Sequence, residues 1–551
     1  MRFDFLKRLW RPAPRVGYFD IFDPVQVRPI LDRFGVTKAD PGAPGGDFPP
    51  DRIRRIYEGR VDLRDAFPLA LTPLGRGGFL TWLLEHGRPE YGLTTQEVMR
   101  SIYDQAGERS NGFADAYRWQ PSWQAAVPDA LTPAGWPKLL AWVRRTCGPC
   151  GPWIHRVPPP AFPVAAARGV NVLGYFRYPC GLQEVAVQYG RAAEVAGYAV
   201  ARRDIPRIYD ARAHTASPTA ERFDALEVYP VSLVVVGAAE PLAGAYRQAG
   251  VSPRPGVYRV ACWAWELATF PSEPLAHAGL ADEVWTLTEF SANAVRAAWP
   301  GKRVTAVLPA VAVPAAMAYS RAHFGLAAGR FVVLFAFDMG SCGERKNPLG
   351  LVRAFRLAFP GDEAVTLVVK VSRAEANPTL WAALQVAAAA DARVVLVNRV
   401  MPRAEAMGLL ACCDCYASLH RAEGLGYSLA EAMLLGKPTV ATGYSGNLDF
   451  MTPETSHLVR CTLVKVGPGL PPYAADAEWA EPDEGHAAEL LAAVHADPEA
   501  ARRMGERAAE RAAAIFSVEA AAGRLAARLR AIELLVAAGA ASENDASRGR
   551  S

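Results

Sequence analysis

Two glutamates, Glu423 and Glu431, stand eight positions apart in the stretch HRAEGLGYSLAEAMLLGKPTVATGYSGNLD, residues 420–449. A carboxylate only accepts hydrogen bonds, and it can take them from two neighbouring hydroxyls at once. Two such groups at this spacing suit a ligand with hydroxyls at both ends, a sugar at one and a ribose at the other. The middle of such a ligand is a phosphate, and cations for it are near. Arg345 and Lys346 lie in the segment MGSCGERKN, and Lys370 closes TLVVKV. Gly424 and Gly426 leave backbone amides free ahead of a helix, a cradle for phosphate or sugar oxygens. The same acids on a solvated surface helix, and the same cations on a solvated loop, are the plain alternative.

The elements that would position these groups are legible. CYASLH reads as a strand leading into the stretch. Leu429, Ala432, Met433 and Leu435 recur at helical spacing, and Gly436 with Pro438 stops the helix. Glu423 therefore belongs to a loop, and Glu431 lies inside the helix about two turns further on. FVVLFAF is a strand ending at Asp338, after which Pro348 opens a helix through Phe359. TLVVKV, ARVVLVN and TVAT supply further strands. Upstream, residues 169–175 and 231–236, then 257–265 and EVWTLT, alternate with helices from Gly181 to Ala196 and from Ser291. Alternation of this kind predicts parallel sheets covered on both faces, with ligands beyond the carboxyl ends of the strands. Three cations and two acids would then converge there.

The wording of the stretch goes beyond its spacing. EGLG, EAMLLGKPTVAT and SGNLDF resemble the E-x7-E segment of retaining, nucleotide-sugar-dependent glycosyltransferases of the GT-B fold, in particular family four. NVLGYF, WAWEL, DEVWTLTEFSANAV and VTAVLPAV resemble the first Rossmann-like domain of the same enzymes. The resemblance implies an α/β GT-B fold of two Rossmann-like domains facing a cleft, with the final helix crossing back to the first. It implies that Glu431 binds the ribose, and that Glu423, with the amides around Leu425 and Gly426, holds the transferred sugar. Lys346 matches the family's lysine on the pyrophosphate. The matching arginine is less well placed, because Arg345 directly precedes the lysine while Gly340 or Ser341 stands at the usual position; Lys370 is the candidate substitute. Ser445, Gly446 and Asn447 form a turn suited to sugar or phosphate contact. Gly181, Glu184 and Glu266 are implied on the acceptor side. A second departure is Gly181-Leu182-Gln183-Glu184, where many relatives carry Gly-Leu-Gly-Glu. The implied chemistry is same-face attack, with the leaving phosphate helping to deprotonate the acceptor.

The rest of the chain sets bounds. At 551 residues it has room for two to four domains. Sixty basic against fifty-six acidic residues leave +4, which gives no reason for a nucleic-acid partner. No run of about twenty apolar residues offers a transmembrane helix, and MRFDFLKRLWRP lacks the features of a signal peptide. Its basic and aromatic alternation would permit peripheral contact with a membrane surface. Nine cysteines do not make a disulfide framework, Cys147-Gly-Pro-Cys150 follows a helix rather than a redox strand, and the chain reads as cytoplasmic. No Asp-Xaa-Asp motif is present, so the expected catalysis needs neither metal nor cofactor.

Residues 1–160 differ from the remainder. Pro68, Leu71, Thr72, Pro73, Gly75, Leu80 and Trp82 recur as Pro128, Leu131, Thr132, Pro133, Gly135, Leu140 and Trp142, an offset of 60. This predicts an α-helical module of two related halves, each with a threonine cap, proline at the first helical position and a buried tryptophan. The proline-rich VPPPAFP, 157–163, reads as a stiff linker that would let the module fold alone and position the enzyme on an acceptor or partner. The first Rossmann-like domain is then expected at 164–325, the second with its C-terminal helices at 326–538, and a disordered tail at 539–551. The expected activity moves a sugar from GDP-mannose or a UDP-hexose to a glycan or lipid-linked acceptor in surface polysaccharide synthesis. The alternative is a non-catalytic GT-B-like scaffold acting through its helical module; a sugar epimerase or phosphorylase lacks support in the motifs.

Overall fold

A computed structural model of the protein describes residues 19, 24–35, 52–106, 112–147, 152–160, 168–206, 227–238, 240–271, 279–314, 319–361 and 364–548. The N-terminal segment considered for membrane contact, most of the Cys-Gly-Pro-Cys segment and residues 161–163 of the linker lie outside them.

Two six-stranded sheets carry the α/β part. The first has strands β1 (Gly169–Gly174), β2 (Ala199–Asp204), β3 (Val231–Gly237), β4 (Tyr258–Ala264), β5 (Glu283–Thr286) and β6 (Val304–Ala306), in the order β2-β1-β3-β4-β5-β6. The second has β7 (Phe331–Asp338), β8 (Val365–Ser372), β9 (Val394–Asn398), β10 (Cys415–Ser418), β11 (Thr439–Thr442) and β12 (His457–Val459), in the order β12-β11-β10-β7-β8-β9. Pairing is parallel from β3 to β6 and across the second sheet. Strands β3, β7 and β8 are nearly continuous in valine, leucine and phenylalanine and are buried on both faces, as helices on each side of a parallel sheet demand. These are the two Rossmann-like halves of the GT-B architecture. A two-stranded antiparallel hairpin, β13 (Cys461–Lys465) with β14 (Glu478–Pro482), follows the second.

The chain divides into two compact units. One comprises residues 1–179, 201–230 and 243–257; the other comprises 180–200, 231–242 and 258–551. Within the second unit the last helix, Val518–Arg548, returns to residues of the first half. Arg528 Nε donates to the buried Glu283 carboxylate at 2.6 Å, Arg524 Nε to Leu308 O at 3.2 Å, and Ala521 and Ala522 pack with Ala192 and Ala310. The helix runs on through residues 539–548, where the sequence suggested a disordered tail.

In the first unit the offset of 60 reappears as geometry. Tyr57 Oη donates to Phe67 O at 3.0 Å and Tyr117 Oη to Val127 O at 2.8 Å. Thr72 and Thr132 each donate to the carbonyl three residues earlier, Leu69 and Asp129, at 2.8 and 2.7 Å. Their hydroxyls also accept from the main chain ahead, Leu74 N at 3.3 Å and Gly135 N at 3.0 Å, as a capping threonine does. The threonines close a turn, and the helices begin later, at Arg76 and Trp136, after Gly75 and Gly135. Those glycines are obligatory: a Cβ would lie 2.5 Å from the Leu69 carbonyl carbon and 1.7 Å from Asp129 O. Each half has its own aromatic core, Tyr57, Phe79 and Trp82 in one and Tyr117, Trp123 and Trp136 in the other.

The helices do not end at their own surface. Arg203, on β2, is buried; it donates to Ala249 O at 2.7 Å and Arg118 O at 2.5 Å and lies 3.7 Å over the Trp119 ring. Gln124 bridges to Gly250 O at 2.5 Å and receives Ser252 N at 2.7 Å, and Arg64 donates to Arg247 O at 2.7 Å. A buried guanidinium without its acceptors is costly. The expectation of a separately folding module therefore gives way to one in which the helices complete the core around β2. A chain beginning at residue 168 should be insoluble or lack a cooperative thermal transition; a soluble product melting like the full chain would restore the independent module.

Candidate active site

The turn after β7 puts two adjacent cations on one carboxylate. From Asp338 the chain passes through two single-turn helices, Met339–Ser341 and Gly343–Lys346, before the helix Pro348–Ala358. Cys342 and Asn347 adopt left-handed backbone with φ of 61° and 51°, which costs about 1–2 kcal/mol for a non-glycine residue. Asn347 holds its turn closed: its Oδ1 accepts from Gly350 N at 3.2 Å, and its Nδ2 donates to Leu419 O at 3.0 Å. Arg421 N donates to Arg345 O at 2.7 Å, which ties the extension of β10 to the same turn.

Glu423 sits where that extension meets the helix Tyr427–Leu434. Lys346 Nζ is hydrogen-bonded to Glu423 Oε1, and Arg345 Nη1 donates to Oε2 at 3.2 Å. Burial pushes this carboxyl up, but Lys346 and Arg345 outweigh burial and hold it at about 2. Arg345 is itself buried and largely consumed by protein: Nη1 donates to Ala422 O at 2.6 Å, Nη2 to Ser341 O at 3.1 Å, and Glu266 lies 3.7 Å from Nη2. Tyr473, from the β13–β14 connection, donates to the other Glu266 oxygen at 3.1 Å and stands against Trp265 with ring centres 5.7 Å apart.

The glycines of the stretch serve the backbone. A Cβ on Gly446 would lie 2.2 Å from Gly424 O, and one on Gly424 would lie 3.0 Å from Trp265 O. Two loops thus pack main chain to main chain, sealed by Gly446 N to Glu423 O at 2.9 Å, Ser445 Oγ accepting Glu423 N at 2.7 Å, and Thr288 Oγ1 donating to Gly424 O at 2.8 Å. Ser445 takes φ 78° to reach this position, while Gly426 at φ 88° starts the helix with no side-chain cap, leaving its first amides uncapped by side chains. Leu425 between them is buried. His420 is buried beneath, its Nδ1 3.1 Å from Ser418 Oγ and its Nε2 3.2 Å from Asn447 Oδ1; burial lowers its pKa below the usual imidazole value, which favours the neutral ring.

The five charged groups do not form one cluster. Arg345, Lys346, Glu423 and Glu266 come together. Glu431 is apart from them, paired with Arg403 at 2.8 Å; Arg403 Nε lies 3.4 Å from Glu184. Glu184 occupies the first turn of the helix Gly181–Val195, whose opening Gly181 has open space around its Cβ direction. Lys370 donates to Ser372 Oγ at 2.6 Å, and burial, then Arg399, lowers it to about 8. No hydrogen bond among the described residues joins it to Lys346 or Glu423. The register explains this: Lys370 lies opposite Ala336 and Val397, two positions short of the strand end from which the Arg345–Lys346 turn departs. Sequence reasoning gave no role to Arg403, Tyr473 or His420. Arg403 opens the helix Arg403–Cys412 and Tyr473 lies in the β13–β14 connection, neither within a recognisable motif, whereas His420 stands at the end of the strand segment CYASLH, inside the stretch that carries Glu423.

Two Rossmann-like halves with an acid-and-cation cluster beyond the carboxyl ends of β7 and β10 make a GT-B layout. Residues 330–466, which hold both glutamates and all three cations, match the family of glycosyl transferases, group 1. No protein of curated function matches the chain. Among solved structures, the chain is similar to HepE of Anabaena in complex with UDP-glucose, at 17% identity over 66% of this chain and 100% of that one, with a TM-score of 0.47. It is similar to sucrose-phosphate synthase of Thermosynechococcus elongatus at 18% identity, 67% and 100% coverage and a TM-score of 0.48. For a TarM variant of S. aureus in complex with fondaparinux, α-GlcNAc-glycerol and UDP the values are 14%, 53%, 54% and 0.41, so the chain spans about half of that protein.

The Glu423 pair has a pH signature. Its folded pKa lies below the unfolded value of about 4.3, so the ion pair stabilises the fold above that pH and the contribution disappears as pH falls toward 2. Glu423→Gln should cost about 2–4 kcal/mol at pH 7, and the gap to wild type should narrow by pH 3. Chemical denaturation showing equal gaps at pH 7 and pH 3 would refute the charged pairing.

Proposed function

We propose that the chain is a retaining, metal-independent glycosyltransferase of the E-x7-E type, moving a hexosyl unit from a nucleotide sugar, GDP-mannose or a UDP-hexose, to a glycan or lipid-linked acceptor in surface polysaccharide synthesis at the cytoplasmic side of the membrane. The observation that carries this is the division of labour around Glu423. Arg345 spends its donors on Ala422 O and Ser341 O as well as on the carboxylate, so it fixes Glu423 in place. Lys346 has the Glu423 carboxylate as its ion-pair partner and keeps some exposure. It is therefore the cation free to turn toward a diphosphate.

In this reading the diphosphate rests on Lys346 and the uncapped amides ahead of Tyr427, as an anion does at a helix N-terminus. Glu423 accepts from hydroxyls of the transferred sugar, and Glu431 from those of the ribose. The bond from the anomeric carbon to the diphosphate oxygen breaks with its electron pair leaving on the phosphate. The acceptor hydroxyl attacks the same face and gives its proton to that phosphate oxygen. Lys346 then works hardest as negative charge develops on the leaving group, so its effect falls on turnover. Arg345 and Lys370 are secondary on this view, while Ser445, Gly446 and Asn447 shape the loop that holds Glu423. Gly181, Glu184 and Glu266 face the acceptor side.

Nucleoside diphosphate release from a panel of UDP- and GDP-sugars identifies the donor. With that donor, Lys346→Ala should lower turnover at least about tenfold while changing donor affinity less, and EDTA should leave the wild type active. Loss of activity on chelation with recovery on added manganese would refute the metal-free mechanism; no release from any donor by the wild type would refute the transferase.

A further inference from the structure

The Arg403–Glu431–Glu184 cluster has no assigned purpose for its arginine. Glu431 is buried, in a helix whose Leu429, Ala430, Ala432 and Met433 are buried as well. The charged and titratable groups facing it are Arg403 from the helix Arg403–Cys412, Glu184 from the helix Gly181–Val195, Tyr427 on its own helix and Tyr416 on β10. Of these only Arg403 is a cation. Glu184 is a like charge, and the phenols add none at neutral pH.

Arg403 is held for one task. Nη1 donates to Glu431 Oε1 at 2.8 Å, Nη2 to Ala312 O at 2.7 Å, and Nε lies 3.4 Å from Glu184 Oε1. A planar fork fixed along three directions cannot wander, and it engages one oxygen of Glu431. Oε2 accepts no hydrogen bond among the described residues. A carboxylate in this state has acceptor capacity left for two hydroxyls of one ligand. A protonated acid has less, because one oxygen then carries a proton and becomes a donor.

We propose that Arg403 is a positioning residue for donor binding: it holds the buried Glu431 carboxylate by one oxygen and orients the other as the acceptor for the vicinal hydroxyls of a nucleotide ribose. This rests on the donor-site reading above. Burial raises the Glu431 pKa above the usual carboxylate value, and Arg403 offsets part of that rise. Without Arg403 the carboxyl is protonated at higher pH, so hydroxyl recognition weakens as pH falls.

Calorimetry separates this role from simple support of the fold. UDP and GDP, each against its 2′-deoxy counterpart, are titrated into the full chain, Arg403→Gln and Arg403→Lys between pH 6 and pH 8.5, with thermal melting as the check on folding. The wild type should prefer one ribonucleotide over its deoxy form by about tenfold or more, the scale of a hydrogen bond to a charged group, with little change over that pH range. Arg403→Gln should lose the preference at pH 6 and regain part of it at pH 8.5. Arg403→Lys, which keeps the charge, should retain a preference flat in pH. A wild-type-like Arg403→Gln overturns the proposal. Tighter binding by Arg403→Gln also overturns it, since Arg403 would then compete with the ligand. If Arg403→Gln does not fold, loss of the preference in a folded Arg403→Lys overturns it. A wild type that binds neither nucleotide, or binds without ribose preference, defeats the donor-site reading itself and this proposal with it.

Discussion

A carboxylate among backbone carbonyls stays charged only when cations are brought to it, and Glu423 requires two. Much of the second sheet's upper edge is arranged to deliver them. The left-handed turn at Asn347, anchored to Leu419, places Arg345 and Lys346 side by side. The main-chain contact of Gly424 with Gly446, and the strained Ser445 that accepts from Glu423 N, fix the acid from the other side. The two loops hold each other through Gly446 N to Glu423 O and Glu423 N to Ser445 Oγ. Backbone strain of about 1–3 kcal/mol per residue persists only where the surroundings over-determine it, and here the ion pairs and carbonyl contacts of Arg345 do so.

Arg345 and Lys346 show why neighbours in sequence need not share a role. The arginine, a rigid fork, turns its two terminal nitrogens to the Ala422 and Ser341 carbonyls and the Glu423 carboxylate, with Glu266 nearby. The lysine is a point charge on a flexible stem, so it exchanges one anionic partner for another at lower cost. An arginine one position before the lysine, rather than several residues earlier, is therefore suited to shaping the site more than to holding phosphate.

The parts of this arrangement legible in sequence were those written in local pattern. The strand alternation, the loop-then-helix placement of Glu423 and Glu431 and the helix starts at Gly181 and Pro348 follow from periodicity and from glycine and proline signals. What sequence hid depends on long-range packing. Gly424 and Gly446 look like ligand-facing glycines, yet each is required by another backbone segment. Lys370 looks convergent with the other cations until strand register separates them. Arg403 is an unremarkable arginine at the start of a helix, and only the fold brings it to Glu431. The helical repeat was visible at an offset of 60, but its attachment to β2 through Arg203, Trp119 and Gln124 was not, because a proline-rich segment suggests independence whatever its flanks touch.

Hydrogen exchange of the full chain, alone and saturated with UDP or GDP, tests most directly whether the paired loops are the donor site. Slowed exchange is expected at residues 343–347 and 423–431, strongest for the amides ahead of Tyr427. Unchanged exchange in both segments under saturating nucleotide, or protection confined to the helices between residues 52 and 147, would contradict it.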